Sequence, residues 1–245
     1  MIKKYFFALL CLLPFKLPNF FLRLFGVNIT NKAKIGFSII LLSDINMIGN
    51  SKIGHFNFIK CDKLYLEDQS YIGHLNNIKG PFDIELGKRS AIGNSNKLVR
   101  ANLGVTYGKS VLKLGELSKV TSEHYLDLTN SITMGNFTTL AGIRSQIWTH
   151  GYMHANTGED RVRIDGKIEI GNNVYIGSGC IFNPGVKILN AISVGSGSIL
   201  SKNLKKSGMY VNQPLRYLDN DIEVVKRKLK RLDNPDVIDK VYLKE

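Results

Sequence analysis

Between Ile168 and Leu204 an aliphatic or aromatic residue returns at every sixth position, at Ile170, Ile176, Phe182, Ile188, Val194 and Leu200. A second series at the same interval, Val174, Cys180, Val186, Ile192, Ser198 and Leu204, is small or apolar throughout. Neither the helical period of 3.6 nor the strand period of 2 produces six. A chain that lays down a short strand, turns a corner and does so three times per coil does produce it. Residues 18 apart then stand above one another, Ile170 on Ile188, Ile176 on Val194 and Phe182 on Leu200. Neighbouring coils pair as parallel β-structure, and each needs the next to bury its inward face. Glycines such as Gly179 and Gly197 suit the tight corners.

Upstream the same period holds with slips. Ile35, Leu41, Met47, Ile53, Ile59 and Tyr65 keep one phase, and Ile72, Ile78 and Ile84 keep another, offset by one residue. The stack is therefore expected to begin near residue 30, with bulges where the phase changes and looser strands from Lys97 to Leu128. Beyond Leu204 the repeat ends. Ile222, Val225, Leu229 and Leu232 stand at helical spacing, with acids before and bases after, so a helix is predicted from Asp219 to Leu232. Asn234-Pro235 would stop it, and a short second helix is expected over Val237 to Leu243. The domain reading is an apolar segment over 1–29, a coil stack over 30–208 with a loop at about 150–165, and a helical extension over 209–245.

A chain of 245 residues with 44% hydrophobic content can bury one substantial core. Its net charge of +13 implies an acidic partner, either a membrane surface or a phosphate-bearing molecule. Nucleic acid is the weakest candidate, because the densest basic cluster, Lys226 to Arg231, comes with no recognition motif. The three cysteines, Cys11, Cys61 and Cys180, show no paired spacing, which suits a reducing, cytoplasmic compartment. The run from Tyr5 to Phe15 is shorter than the roughly 20 residues that span a bilayer. With the following Phe20, Phe21, Leu22, Arg23 and Leu24, it reads either as an interfacial membrane segment or as a lid on the end of the stack.

The stretches "IGNNVYIGSG", "NPGVKI", "VGSGSILSKNL" and "VNQPLRYL" resemble the hexapeptide-repeat acyltransferases, a family that includes galactoside and maltose O-acetyltransferases. The resemblance is strong from about Thr129 to Leu218. It implies a mainly β fold, a left-handed parallel β-helix, flanked here by an N-terminal apolar helical segment and a C-terminal helix. It also implies a homotrimer that binds acetyl-coenzyme A in grooves between subunits. On this resemblance the expected activity is acyl-coenzyme A-dependent O-acetylation of a sugar hydroxyl in surface polysaccharide biosynthesis. N-acetylation of an amino sugar is the alternative.

Chemistry has to come from outside the apolar prism. A polar run between His150 and Asp165 breaks the coil, as a loop covering a site would. In the resembling enzymes a histidine just before such an excursion is the general base, and His150 in "IWTH" holds that place. Neutral imidazole, with an ordinary pKa near 6.5, suits removal of a proton from an attacking hydroxyl. His124, with Glu123 and Asp127 beside it, is a second candidate that would contact the acceptor, and a carboxylate there could orient an imidazole. His154 reads as structural. Trp148, the only tryptophan, reads as buried packing or as a sugar-stacking face. The resemblance further assigns Gly142, Ser178, Ser196, Ser201, Lys202 and Arg216 to coenzyme A, and assigns no metal. A zinc lyase resembling the γ-class carbonic anhydrases would need three histidine ligands, for which the spacing of His124, His150 and His154 is wrong. A non-catalytic scaffold is the remaining class.

Overall fold

The computed structural model describes residues 17–24, 27–158, 160–212, 222–232 and 241–243. The chain forms two units, one ending at Asn212 and the other following it. The first is a left-handed parallel β-helix of about nine coils. Its strands run from Asn28–Ile29 to Gly208–Tyr210 and form three parallel sheets of eight, nine and eight strands. These are called here the first, second and third sheets in the order each coil visits them.

The inward residues stack as the period demands. Ile170 pairs with Ile188, Ile176 with Val194 and Phe182 with Leu200. All six are buried, and Ile176 and Phe182 have no solvent exposure at all. From the first sheet to the second the spacing of inward residues stays at six, as from Ile29 to Ile35 or Met47 to Ile53. Most extra length enters between the third sheet and the first, in a short step from Ile78 to Leu86 and in longer ones from Leu98 to Leu114 and from Ile147 to Ile170, while the step from the second sheet to the third is five from Ile35 to Ile40 and seven from Leu140 to Ile147. This explains the slips of phase. It also corrects the sequence reading at two places, since Leu41 and Tyr65 face outward while Ile40, Leu64 and Leu66 are buried.

The expectation of loose strands from Lys97 to Leu128 is likewise corrected. Strands Lys97–Val99, Val111–Leu114, Lys119–Val120 and Tyr125–Asp127 are in regular register with their neighbours. The irregularity is confined to one excursion between Val99 and Val111. Arg100 organises it: this buried guanidinium donates to the carbonyls of Pro81 (2.6 Å), Tyr107 (2.8 Å) and Gly108 (3.1 Å).

A row of side chains inside the corner between the second and third sheets satisfies the backbone N–H groups of successive coils. Ser38 Oγ accepts from Asn57 N–H, Asn57 Oδ1 from Asn76, Asn76 Oδ1 from Asn96, and Asn96 Oδ1 from His124. His124 Nδ1 then accepts from Ser145 N–H at 3.1 Å, and Ser145 Oγ from Cys180 N–H at 3.1 Å. Buried donors left unpaired would each cost roughly 1–3 kcal/mol, so this polar thread is what allows the corner to be buried.

Helix α1, Leu17–Leu24, closes the N-terminal end of the column. Leu22 is buried in the core with Ile29 and Ile35, while Phe20 and Leu24 stay exposed. The lid reading thus holds for α1; Lys3, Lys4, Cys11 and the rest of 1–16 lie outside the described residues. In the second unit, helix α2 spans only Ile222–Arg227. The expected continuation to Leu232 is corrected, because Lys230–Leu232 is a strand paired antiparallel with Val241–Leu243. A longer helix would have stacked Lys226 over Lys230 and Arg227 over Arg231, which like charges at that spacing disfavour. Val241–Leu243 is Val-Tyr-Leu, a β-prone run, where a second helix was expected. The helix-stopping Asn234-Pro235 lies outside the described residues.

If the stacked interior carries the stability of the column, Phe182→Ala should cost about 3–5 kcal/mol in denaturant unfolding, the usual range for emptying a closed aromatic site. A loss below about 1 kcal/mol would show that the prism is not close-packed there.

Candidate active site

The two long excursions leave the column at the same corner, between the third and first sheets. One is the 101–110 segment. The other is an antiparallel hairpin, His150–His154 with Arg161–Asp165, in which His150 lies opposite Asp165. The coil between them supplies Asp127. Because Leu126 pairs with Ile147, the strand register sets Asp127 beside Thr149 and His150 on the next coil.

Asp127 is nearly enclosed, with its side chain 4% exposed, against 29% for His150. Its Oδ2 accepts from His150 Nδ1 at 2.8 Å and from Thr149 N–H at 2.9 Å, and its Oδ1 accepts from the Thr129 hydroxyl at 2.8 Å. Burial by itself would push this carboxyl up, but the hydrogen bonds from His150, Thr149 and Thr129 outweigh it and hold the group below the ordinary carboxylate value. Asp127 therefore stays anionic and fixes the proton of His150 on Nδ1. The Nε2 lone pair is left as the acceptor. The arrangement is a carboxylate-oriented imidazole able to take a proton from a bound nucleophile. Asp127 was legible as a possible partner from its place near His124; Thr129 and Thr149 carried no sequence signal.

The hairpin is tied to the other excursion. Arg163 Nε and Nη2 grip Asp165 at 2.7 and 2.6 Å, and Arg163 Nη1 donates to Val105 O at 2.5 Å. Its guanidinium also lies 5.8 Å from the centroid of the Tyr107 ring. Around His150 stand Trp148, its ring centroid 6.5 Å away and roughly perpendicular, and Tyr152 at 6.1 Å, also perpendicular. Trp148 is half-buried and stacks against Tyr125, so it is not a core residue as simple packing would have it.

His124 does not join His150. It is 1% exposed and acts as a rung of the polar thread, with Nδ1 accepting from Ser145 and Nε2 donating to Thr121 Oγ1 at 2.9 Å. Both ring nitrogens are engaged, so the expectation that it touches an acceptor is corrected. His154 lies exposed on the hairpin. Among the described residues no group of three or more His, Cys, Asp or Glu is placed to hold a metal ion.

The residues assigned to the coenzyme fall into two stacks flanking the third sheet. Gly142, Ser178 and Ser196 follow one another up the corner between the second and third sheets. Gly142 has φ +68°, and a Cβ there would overlap Ser178 Oγ. At Gly179, where φ is +66°, the space a Cβ would take is open. Ser201 and Lys202 are exposed at the other corner, on the C-terminal side of His150. Arg216 lies outside the described residues.

Size alone does not mark this site. A concavity of about 1180 Å³ lies on the N-terminal coils and is lined by Lys32, Lys34, Lys52, Tyr71, His55 and His74. There His55 Nδ1 accepts from Phe37 N–H and His74 Nδ1 from His55 N–H, so both rings serve the corner, and the concavity holds no carboxylate–imidazole pair.

No protein-family model matches the chain, and no curated protein matches it. Its structural neighbours include O-acetyltransferases and AntD, an N-acyltransferase from Bacillus cereus. The polySia specific acetyltransferase NeuO aligns with a TM-score of 0.52 at 16% identity, over 80% of this chain and 89% of that one. The polysialic acid O-acetyltransferase OatWY aligns at 0.45 and 13% identity, over 78% and 95%. A maltose O-acetyltransferase from Clostridium difficile 630 aligns at 0.43 and 24% identity, over 53% and 65%. At these identities the likeness to NeuO is one of fold, the parallel β-helix.

Burial pushes the His124 imidazole from 6.5 down to about 4. The unfolded chain then binds the extra proton between about pH 6.5 and 4, so stability from this group is complete above that window and is lost as pH falls through it. His124→Asn, which can still accept from Ser145, should fold and flatten the acid limb of stability between pH 6.5 and 4. His124→Ala should cost roughly 1–3 kcal/mol through the orphaned Ser145 N–H. Equal stability of all three proteins from pH 7 to 4 would remove the structural role.

Proposed function

We propose that the chain is an acyl-coenzyme A-dependent O-acetyltransferase that modifies a sugar hydroxyl in surface polysaccharide biosynthesis. The observation that carries this reading is the Asp127–His150 pair, with a free Nε2 at the rim of the column beside two excursions that can hold an acceptor. The fold shared with NeuO is consistent with it.

In this reading His150 Nε2 takes the proton of the acceptor hydroxyl as its oxygen attacks the acyl carbon. The C–S bond breaks as the C–O bond forms, and His150 returns the proton to the departing sulfur. Asp127 holds the ring in place and stabilises its transient positive charge, with Thr129 and Thr149 fixing the carboxylate. A bound acyl-coenzyme A supplies the activated thioester, acetyl in our proposal. The corner of Gly142, Ser178 and Ser196, free of bulky side chains, suits the narrow pantetheine arm, and Lys202 suits a phosphate. We further propose a homotrimer, working in the cytoplasm at the inner membrane face. Exposed Phe20 and Leu24 on α1 support that peripheral placement. Among the described residues no helix is long and apolar enough to cross a membrane.

His150→Ala should lower acceptor-dependent release of coenzyme A thiol by about 10² to 10⁴ in a folded protein. Asp127→Asn should also slow turnover strongly. Undiminished turnover of folded His150→Ala rejects the assignment. Coenzyme A should bind in calorimetry, and Ser196→Trp, a substitution at an exposed position, should weaken it at least tenfold. No heat with the parent protein would point to a scaffold instead.

A further inference from the structure

His150 is the middle member of an unbroken row of five rings. Tyr125 and Trp148 are 4.9 Å apart between centroids, Trp148 and His150 6.5 Å, His150 and Tyr152 6.1 Å, and Tyr152 and His154 6.3 Å. The row starts on the outer face of the third sheet, passes the general base and continues along the hairpin. None of the five is fully buried, and Tyr152 is 46% exposed. A cation stands over a ring on each side of His150. Lys97 Nζ lies 5.5 Å from the centre of Tyr125, and Arg161 Cζ lies 5.0 Å from the centre of Tyr152.

Neither cation has a carboxylate partner among the described residues, unlike Lys113 with Glu85 or Lys187 with Glu169 on the same column. Two carboxylates beside the row are already committed, Asp127 to His150 and Asp165 to Arg163.

Aromatic faces pair with the apolar C–H faces of sugar rings, and a succession of faces matches a succession of sugars. A compact monosaccharide would use one face and leave the others wet. Cations that bracket the row and have no carboxylate partner among the described residues select a ligand that carries negative charge at intervals along its length. We propose that the row is a binding platform for an extended acidic oligosaccharide, lying across His150 with subsites on both sides. Tyr125 with Lys97 forms one flank and Tyr152 with Arg161 the other. This deepens the transferase reading by naming the acceptor class, and it rests on that reading only for the role of His150.

Trp148, the single tryptophan of the chain, reports on the platform without any need for turnover. The full chain is titrated with hexuronic-acid oligomers of one, two and four units and with glucose oligomers of the same lengths, following Trp148 emission. The acidic tetramer should bind at least tenfold tighter than its monomer and at least tenfold tighter than the glucose tetramer, with an affinity that falls as salt rises. Tyr152→Ala and Lys97→Ala should each abolish most of the gain with length, while Tyr152→Phe, which keeps the ring, should retain it. Affinity that is independent of length, a glucose tetramer that binds as well as the acidic one, or the absence of any emission change would overturn the platform. Coenzyme A calorimetry on the same sample separates the two ideas. Glycan binding without coenzyme binding would remove the transferase and keep the platform, and the reverse result would remove the platform alone.

Discussion

Everything in the column follows from parallel pairing of each coil with the next, inward residue on inward residue. The backbone of one coil is satisfied by its neighbours, and its apolar row has nowhere else to be buried. That constraint leaves few free variables. The step from the first sheet to the second is fixed at six and that from the second to the third departs from six by one residue at most, as from Leu140 to Ile147, so long insertions sit where the third sheet gives way to the first. The meeting of Asp127 and His150 depends on this, because the register that sets Leu126 under Ile147 also carries the carboxylate to the histidine.

The same constraint explains the polar interior. A closed corner has backbone donors that water cannot reach, and each must find an acceptor within the stack. Ser38, Asn57, Asn76, Asn96, His124 and Ser145 answer that requirement one coil at a time. A histidine in such a row serves as a slightly longer asparagine, with a neutral ring whose Nδ1 replaces an amide oxygen. Its chemistry is spent on the backbone, which is why two histidines on adjacent coils differ so completely in exposure.

The β-helix was legible in the sequence because a period of six has no other common source, and the stacked pairs Ile170–Ile188 and Phe182–Leu200 follow from that period alone. The upstream register was harder to read. Counting by six put Leu41 and Tyr65 inside, because the step from Ile35 to Ile40 is only five and the coil from Met47 to Leu66 is 19 residues long; their neighbours Ile40 and Leu64 are the buried residues. His150 could be picked out from its place before the polar run. Asp127 and His124 could not be sorted by spacing, because the interval from His124 to His150 is uninformative until the local coil length is known. The helix over Asp219 to Leu232 failed at its basic end, where side-chain repulsion outweighs an apolar stripe.

One corner of the prism thus accepts many extra residues, while the other two vary by one at most. Segments of very different length, pinned by Arg100 and by Arg163, are grafted there without altering the stack beneath. A rigid axle with a single interchangeable edge lets the two excursions be rebuilt while the Asp127–His150 pair stays in its groove.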